Sequence, residues 1–327
     1  MKNEYFYEIA NFVCKFNKHN LMDLYDEVVL PAFTTKDNWR LKKGNFFFTD
    51  VQLIELENKD EKTVAIVGRF IRDTVLKRDQ VYDQNSGKVI HDPKTLRSSP
   101  SSVFVLILNN HRLIYLKETP YAPTLEMFRE TAITFLRRRT RDYSKTLLDD
   151  HKKDFLINYG LPDLRITPLT SKKGLADFVR TYKVLQTVKI TLKARNNDEI
   201  DNADFIDSLQ ERSEAVGSNS TTLLYQNKDE GLDKEKMIEQ IQDTTKHTNQ
   251  HVQLIGLSKE NEVIKGDNEN FKIVQSISDI TLSDVKDVAI KLFDKIKKLK
   301  SDRTIHLPRT EKVVQDKINK INADSGS

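Results

Sequence analysis

Cysteine is almost absent from this sequence: among 327 residues there is 1, Cys14. An intrachain disulfide and a zinc cage of several thiolates are therefore excluded, and the usage fits a reducing compartment. Glycine and proline are scarce as well, at 10 and 8 residues, which excludes collagen-like and low-complexity chains. Long apolar runs are missing. The longest, Val103 to Leu108, falls far short of the roughly 20 residues that a spanning helix requires. Glu4 and Glu8 interrupt the apolar N-terminal stretch, unlike the layout of a secretory signal. A cytoplasmic protein that does not span the membrane is expected.

What remains is ample for a globular protein. The apolar set makes up 38% and the charged set 31%, enough for a core under a dense ionic surface. Lys+Arg total 53 and Asp+Glu 49, so the net charge is only +4. Total charge therefore says little about a polyanionic partner; local clusters of lysine and arginine decide that question.

Apolar spacing at Tyr5, Ile9, Phe12, Val13 and Phe16 predicts an amphipathic helix over 3–17. A second helix, capped by Asn20, stops before Pro31. Phe46 to Leu56 and Thr63 to Leu76 are rich in aromatic and β-branched residues and predict two strands around an exposed turn. Gln80 to Pro100 carries Asn85-Ser86-Gly87, Asp92-Pro93 and Ser98-Ser99-Pro100 and reads as a mobile loop. Val103 to Leu108 and Leu113 to Lys117 form a hairpin whose asparagines, Asn109 and Asn110, make the turn. Thr124 caps a helix that presents Leu125, Phe128, Ala132, Phe135 and Leu136 on one face and ends in the arginines of 137–141.

The polar stretch Asp142 to Gly160 is read as a boundary. Beyond it come a strand at Leu164 to Leu169, a helix from Ser171 to about Lys183, and strict alternation from Thr187 to Arg195. A helix at 202–216, a strand at 221–226, a helix at 234–246 and strands at 252–257 and 271–277 follow. A long helix starts at Thr281 or Ser283 and carries Val285, Val288, Ala289, Leu292, Ile296 and Leu299. The expected architecture is mixed α/β, with mixed sheets packed against helices in two domains. An N-terminal α/β domain spans 1–150, and a C-terminal α/β domain, a candidate for dimerisation, spans 161–303. Residues 304–327 form a tail with a weak helix around 313–321.

Phosphate-cradling loops are excluded, because neither G-x-x-x-x-G-K-[ST] nor G-x-G-x-x-G occurs. His247 and His251 share a spacing of four in a polar stretch with no third ligand adjacent. Cys14 reads as a packing residue beside Val13. No catalytic constellation emerges, and neither a metal nor a cofactor is expected. The nearest approach is Asp50 with Glu57 and Lys59, which resembles the carboxylates and lysine of a metal-dependent nuclease.

Basic clusters stand out more clearly. Arg137, Arg138, Arg139 and Arg141, with Lys145 beyond, exceed what a helix C-terminus needs to offset its dipole, and guanidinium forks match phosphate geometry. Lys189, Lys193 and Arg195 share the polar face of the alternating strand, at a spacing of roughly 6.8 Å per residue pair. Lys291, Lys295, Lys297, Lys298, Lys300 and Arg303 are interleaved with Asp284, Asp287 and Asp294, a pattern of solvated i to i+4 pairs. No aromatic residue is interleaved with the basic groups. These clusters therefore favour contact with a nucleic-acid backbone over base reading.

One stretch of the chain shows a familiar order of pieces. Ser-Ser-Val-Phe-Val-Leu-Ile-Leu (101–108), Glu118-Thr119-Pro120-Tyr121-Ala122-Pro123-Thr124, Ile166-Thr167-Pro168-Leu169 and Gln186-Thr187-Val188-Lys189-Ile190-Thr191-Leu192-Lys193 occur in that order. This order resembles the RexA family, the DNA-binding half of a lambdoid phage-exclusion pair, and more loosely the DNA-binding subunits of anti-phage systems such as Kiwa. The resemblance implies a homodimer that binds double-stranded DNA without sequence preference and signals phage infection to a partner, a membrane protein encoded nearby. A nuclease and a protein-interaction scaffold without nucleic-acid binding are the competing expectations.

Overall fold

A computed structural model describes residues 4–35, 39–41, 44–57, 61–193, 208–209, 212–213, 215–218, 220–245, 250–302, 304–305, 307–322 and 324–325. The chain opens with β1 (Tyr5–Phe16), β2 (His19–Asn20), a 3₁₀ turn at Leu21–Asp23, a π-helical turn at Tyr25–Val29 and α1 (Leu30–Thr34). Next come β3 (Trp39–Leu41), β4 (Gly44–Glu57), β5 (Thr63–Asp83), β6 (Lys88–Ser98), β7 (Ser101–Ile107) and β8 (Arg112–Lys117). Helices α2 (Leu125–Thr146) and α3 (Asp149–Asn158) follow, then β9 (Asp163–Pro168), α4 (Lys172–Thr181), β10 (Val184–Lys193), β11 (Ser220–Gln226) and α5 (Lys234–Thr245). The last elements are β12 (Gln250–Leu257), β13 (Val263–Asp267), β14 (Val274–Ile277), α6 (Val285–Ser301), α7 (Lys312–Ile318) and β15 (Asp324–Ser325). Among the described residues the strands form an 11-stranded sheet, β14-β1-β8-β7-β5-β4-β15 with β2, β3, β6 and β9 attached, and a 4-stranded sheet, β11-β10-β12-β13. The mixed helix-and-sheet class expected from the sequence is the class observed.

Where a helix was expected over 3–17, the chain is the strand β1. Both faces of this strand are buried, so the polar alternation that reveals a half-exposed strand is missing. The period of two shows instead in where the side chains go. Ala10, Phe12, Cys14 and Phe16 enter one core, whereas Tyr7 and Ile9 enter the core on the opposite face. β7 and β8 divide the same way: Phe104, Leu106, Leu113 and Tyr115 on the first side, Val103, Val105, Ile114 and Leu116 on the second. Helix α2 covers the first face through Leu125, Phe128, Ala132 and Leu136, and α6 covers the second through Val285, Val288, Leu292 and Ile296. The apolar stripe of α6 is thus used inside the protomer.

Other expectations shift for similar reasons. Pro31 does not end the second helical stretch, because it sits in the first turn of α1, where its missing N–H has no partner to lose. Residues 80–100 are not a loop: β5 runs on to Asp83, turns through Gly87 at φ 62° with Asp83 accepting from Asn85 and Ser86 N–H, and returns as β6. In the 109–112 turn the positive φ falls on His111, at 53°. Asn109 serves elsewhere, accepting from Val64 N–H at 3.1 Å and donating to Lys62 O and Gln315 Oε1 at 2.9 Å. The helix expected at 202–216 lies largely outside the described residues.

Residues 142–160 are mostly helical, in the end of α2 and in α3. Residues 161–303 are shared between the two sheets. β9 and β14 pair with β1, and α6 packs on the larger sheet, whereas β10 to β13 form the smaller one. Two adjacent segments connect them: Ser171 N–H donates to Phe271 O at 3.0 Å, and Ile273 N–H donates to Leu169 O at 2.8 Å. Lys272 lies there between Glu8 at 2.6 Å and Glu269 at 2.8 Å.

The segment read as a tail docks on the larger core. Val314 and Ile318 of α7 are buried in it, and Lys62 Nζ donates to Ile321 O at 2.7 Å. Lys317 binds Asp23 at 2.6 Å. Burial works against the Asp23 carboxylate, but Lys317 and the Asn20 N–H outweigh it and hold its pKa below the ordinary aspartate value. A carboxylate shifted this way stabilises fully above its unfolded value of about 3.9 and loses that contribution as the pH falls through the folded value. Protection of the α7 amides, measured against the intrinsic exchange rate at each pH, is therefore expected to fall on acidification into that range before that of the β1–β8 amides. Simultaneous loss of protection in both would disprove local release.

Candidate nucleic-acid interface

Helix α2 begins at the cap the sequence predicts, with Thr124 Oγ1 accepting from Met127 N–H at 3.3 Å. It does not end at the arginines. The helix continues to Thr146, because Thr140 and Ser144 keep the buried face in register beyond them. Positions 137 to 141 therefore lie in the helix interior, where carbonyls are already bonded and the macrodipole has little hold. Their grouping calls for another reason.

The helical period sorts them. Arg137, Arg138, Arg141 and Lys145, with Thr134 and Asp142, line one open depression along the outer face of α2. Arg137 Nε donates to Pro162 O at 3.2 Å, which holds that side chain against the start of β9. The guanidinium carbon of Arg138 lies 5.6 Å from the centre of the buried Phe135 ring, a cation–π contact. Lys145 pairs with Asp142 at 3.0 Å. Arg141 is exposed and has no side-chain partner among the described residues. Arg139 is the exception of the cluster: its guanidinium turns away and donates to Thr35 Oγ1 beside α1. It is a tether between helices, and the depression does without it.

The second predicted group stands on the other sheet. Val188, Ile190 and Leu192 are buried under α4 and α5, as the alternation requires. Lys189 is exposed on the opposite face, with Leu224 of β11 and Gln253 of β12 as its cross-strand neighbours. Lys193 pairs with Ser220 through the backbone, and Arg195 lies outside the described residues. On α6, Lys297 bridges Glu57 at 3.4 Å and Asp294 at 3.1 Å, and Lys291 donates to Asp279 O at 2.8 Å.

The carboxylates of the nuclease reading are spent on cations. Asp50 binds Arg69, which also holds Glu118 at 2.9 Å, and Glu57 takes Lys297. Lys59 and His247 lie outside the described residues. His251 sits on strand β12, and no cluster of metal-ligating side chains occurs among the described residues. Cys14 is buried, and burial, with Asp163 nearby, pushes its thiol pKa far upward, away from the reactive thiolate. No helix among the described residues is long and apolar enough to cross a membrane.

Sequence reasoning missed Thr134 and Asp142 as members of the depression and did not separate Arg139 from the cations that line it. A helical wheel drawn through Thr146 would have found all three. No family model matches the chain, and no curated protein is significantly similar to it.

Proposed function

We propose that the protein binds double-stranded DNA without sequence preference, through phosphate contacts made by Arg137, Arg138, Arg141 and Lys145. The observation that carries this reading is the stripe itself: four cations on one strip of a helix interior, with Asp142 the one carboxylate among the described residues that line the depression. Helix capping supplies no reason for them there. Arg141 has no side-chain partner among the described residues, so its guanidinium fork is open to a phosphate. Lys189 offers an additional contact from the smaller sheet. A role in anti-phage defence, sensing phage DNA and signalling to a membrane-protein partner, rests on the likeness of 101–195 to the RexA family.

Backbone contact makes a quantitative demand. Each neutralised phosphate releases counterions and steepens the salt dependence of log K by about 0.9. Fluorescence anisotropy with unrelated duplexes across a salt series is expected to give one common slope of about −3 to −4 for the four cations. Affinities that differ widely between sequences, or a flat salt dependence, would remove the reading.

A further inference from the structure

β5 and β6 outrun the sheet that anchors them. Pairing of β5 with β4 ends at Asp73 and with β7 at Ile71, yet β5 and β6 stay paired from Thr74↔Ser98 to Asp83↔Lys88. They form a two-stranded arm roughly 30 Å long, at about 3.3 Å per residue. Both faces meet water: Leu96 is 67% exposed, Tyr82 61%, Val89 60%, Val75 51%, Ile90 44% and Leu76 40%. A lone two-stranded hairpin is marginally stable in water and gains from added strands.

The two edges of the arm are not alike. That of β6 carries Pro93 and a register shift opposite Arg78 and Gln80, the devices that stop an edge from pairing. That of β5 from Val75 to Asp83 has neither proline nor glycine, and no strand pairs with it on that side among the described residues. The charges are also nearly balanced, Lys77, Arg78, Lys88, Lys94 and Arg97 against Asp73, Asp79, Asp83 and Asp92. A polyanion would gain little here, and two such arms would not repel.

We propose that a second copy of this chain pairs its β5 edge with this one, antiparallel across a two-fold axis at Arg78. A two-fold perpendicular to the sheet keeps faces matched, so only residues of like parity meet. Centred on Arg78, Lys77 faces the partner's Asp79 and Val75 faces the partner's Val81, each pair occurring twice; opposite charges and β-branched residues directly across a ladder stabilise it. Centring on Asp79 sets two carboxylates together, and centring on Lys77 sets Asp79 against Val75. The two arginines on the axis are tolerated because each is neutralised by Asp92 of its own β6.

The test uses the full chain. Light scattering at micromolar concentration is expected to give twice the chain mass of 38.0 kDa. Directly opposed Cα atoms lie about 4.5–5.5 Å apart, within disulfide reach, so Arg78→Cys is expected to yield a covalent dimer under mild oxidation. Val75→Cys, far from its own copy, is expected not to self-link, and buried Cys14 gives no background. Lys77→Glu is expected to weaken the dimer at least tenfold, and Lys77→Glu with Asp79→Lys to restore it. A concentration-independent monomer mass would overturn the proposal. So would a dimer whose 78 thiols do not link, or a charge swap that fails to rescue. Deletion of 75–97 that leaves the mass unchanged but weakens duplex binding would assign the arm to DNA and equally overturn it.

Discussion

Gly256→Ala is expected to cost about 3 kcal/mol of stability, the upper range for overpacking a tight interior. Gly256 lies on β12 between Leu185 and Ile264, next to the register shift of β10 between Leu185 and Thr187. The irregularity brings the β10 backbone over the glycine. An added Cβ would lie 2.2 Å from Val184 O, 2.7 Å from Tyr182 Cδ1 and 3.1 Å from Leu185 Cα. Two of those atoms are backbone, and Tyr182 is itself fixed in the core, its OH donating to Leu254 O at 3.4 Å. The collision has no cheap outlet. At Gly68 the added Cβ would meet Val51 Cγ2 at 2.9 Å and the Phe104 ring at 3.0 Å, and that buried ring is packed against Phe33, Phe48 and Phe128, so Gly68→Ala is expected to destabilise as well. Urea unfolding followed by circular dichroism reads both variants, and a loss below about 1 kcal/mol for Gly256→Ala would refute the packing argument.

The second large effect falls on binding. Arg137→Glu combined with Arg141→Glu removes two cations from the stripe and adds two carboxylates beside Asp142. Loss of two phosphate contacts at about 0.1 M salt lowers duplex affinity on the order of 10²-fold and flattens the salt slope by about 1.8. Both side chains are exposed; Arg141→Glu should change stability by no more than about 0.5 kcal/mol, and Arg137→Glu adds about 1 kcal/mol for its lost bond to Pro162 O. Arg139→Ala gives the opposite pattern, because its contact is with Thr35: the slope stays and stability falls. Equal loss of binding from Arg139→Ala and from the double variant would show that the sorting of the cluster by helical face is wrong.

Local rules read this sequence well wherever one face of an element meets water. The alternation around Lys189, the cap at Thr124 and the stripe of α6 are of that kind. β1 was unreadable because aromatic and aliphatic residues fill both of its faces, which leaves spacing open to a helical interpretation. The arm failed for the reverse reason. Both of its faces are exposed, so polar residues occur on both of them, no alternation emerges, and its strands look like a loop. The basic cluster was legible as residues but not as geometry, since α2 runs on past the arginines and its length decides which of them share a face. Asp92-Pro93 is a bulge in a ribbon, and nothing within the dipeptide distinguishes that from a turn.

The placement of β1 has a consequence for how the chain is made. Its partners β8, β9 and β14 lie progressively further along the sequence, the last at Val274–Ile277, and the core beneath it is completed by Val314 and Ile318. During synthesis at about 5–20 residues per second, this apolar strand emerges well before those partners, and its backbone and both faces stay uncovered in the interval. Long sequence separations of this kind slow folding, and the interval is one in which ribosome-associated chaperones have a strand to hold.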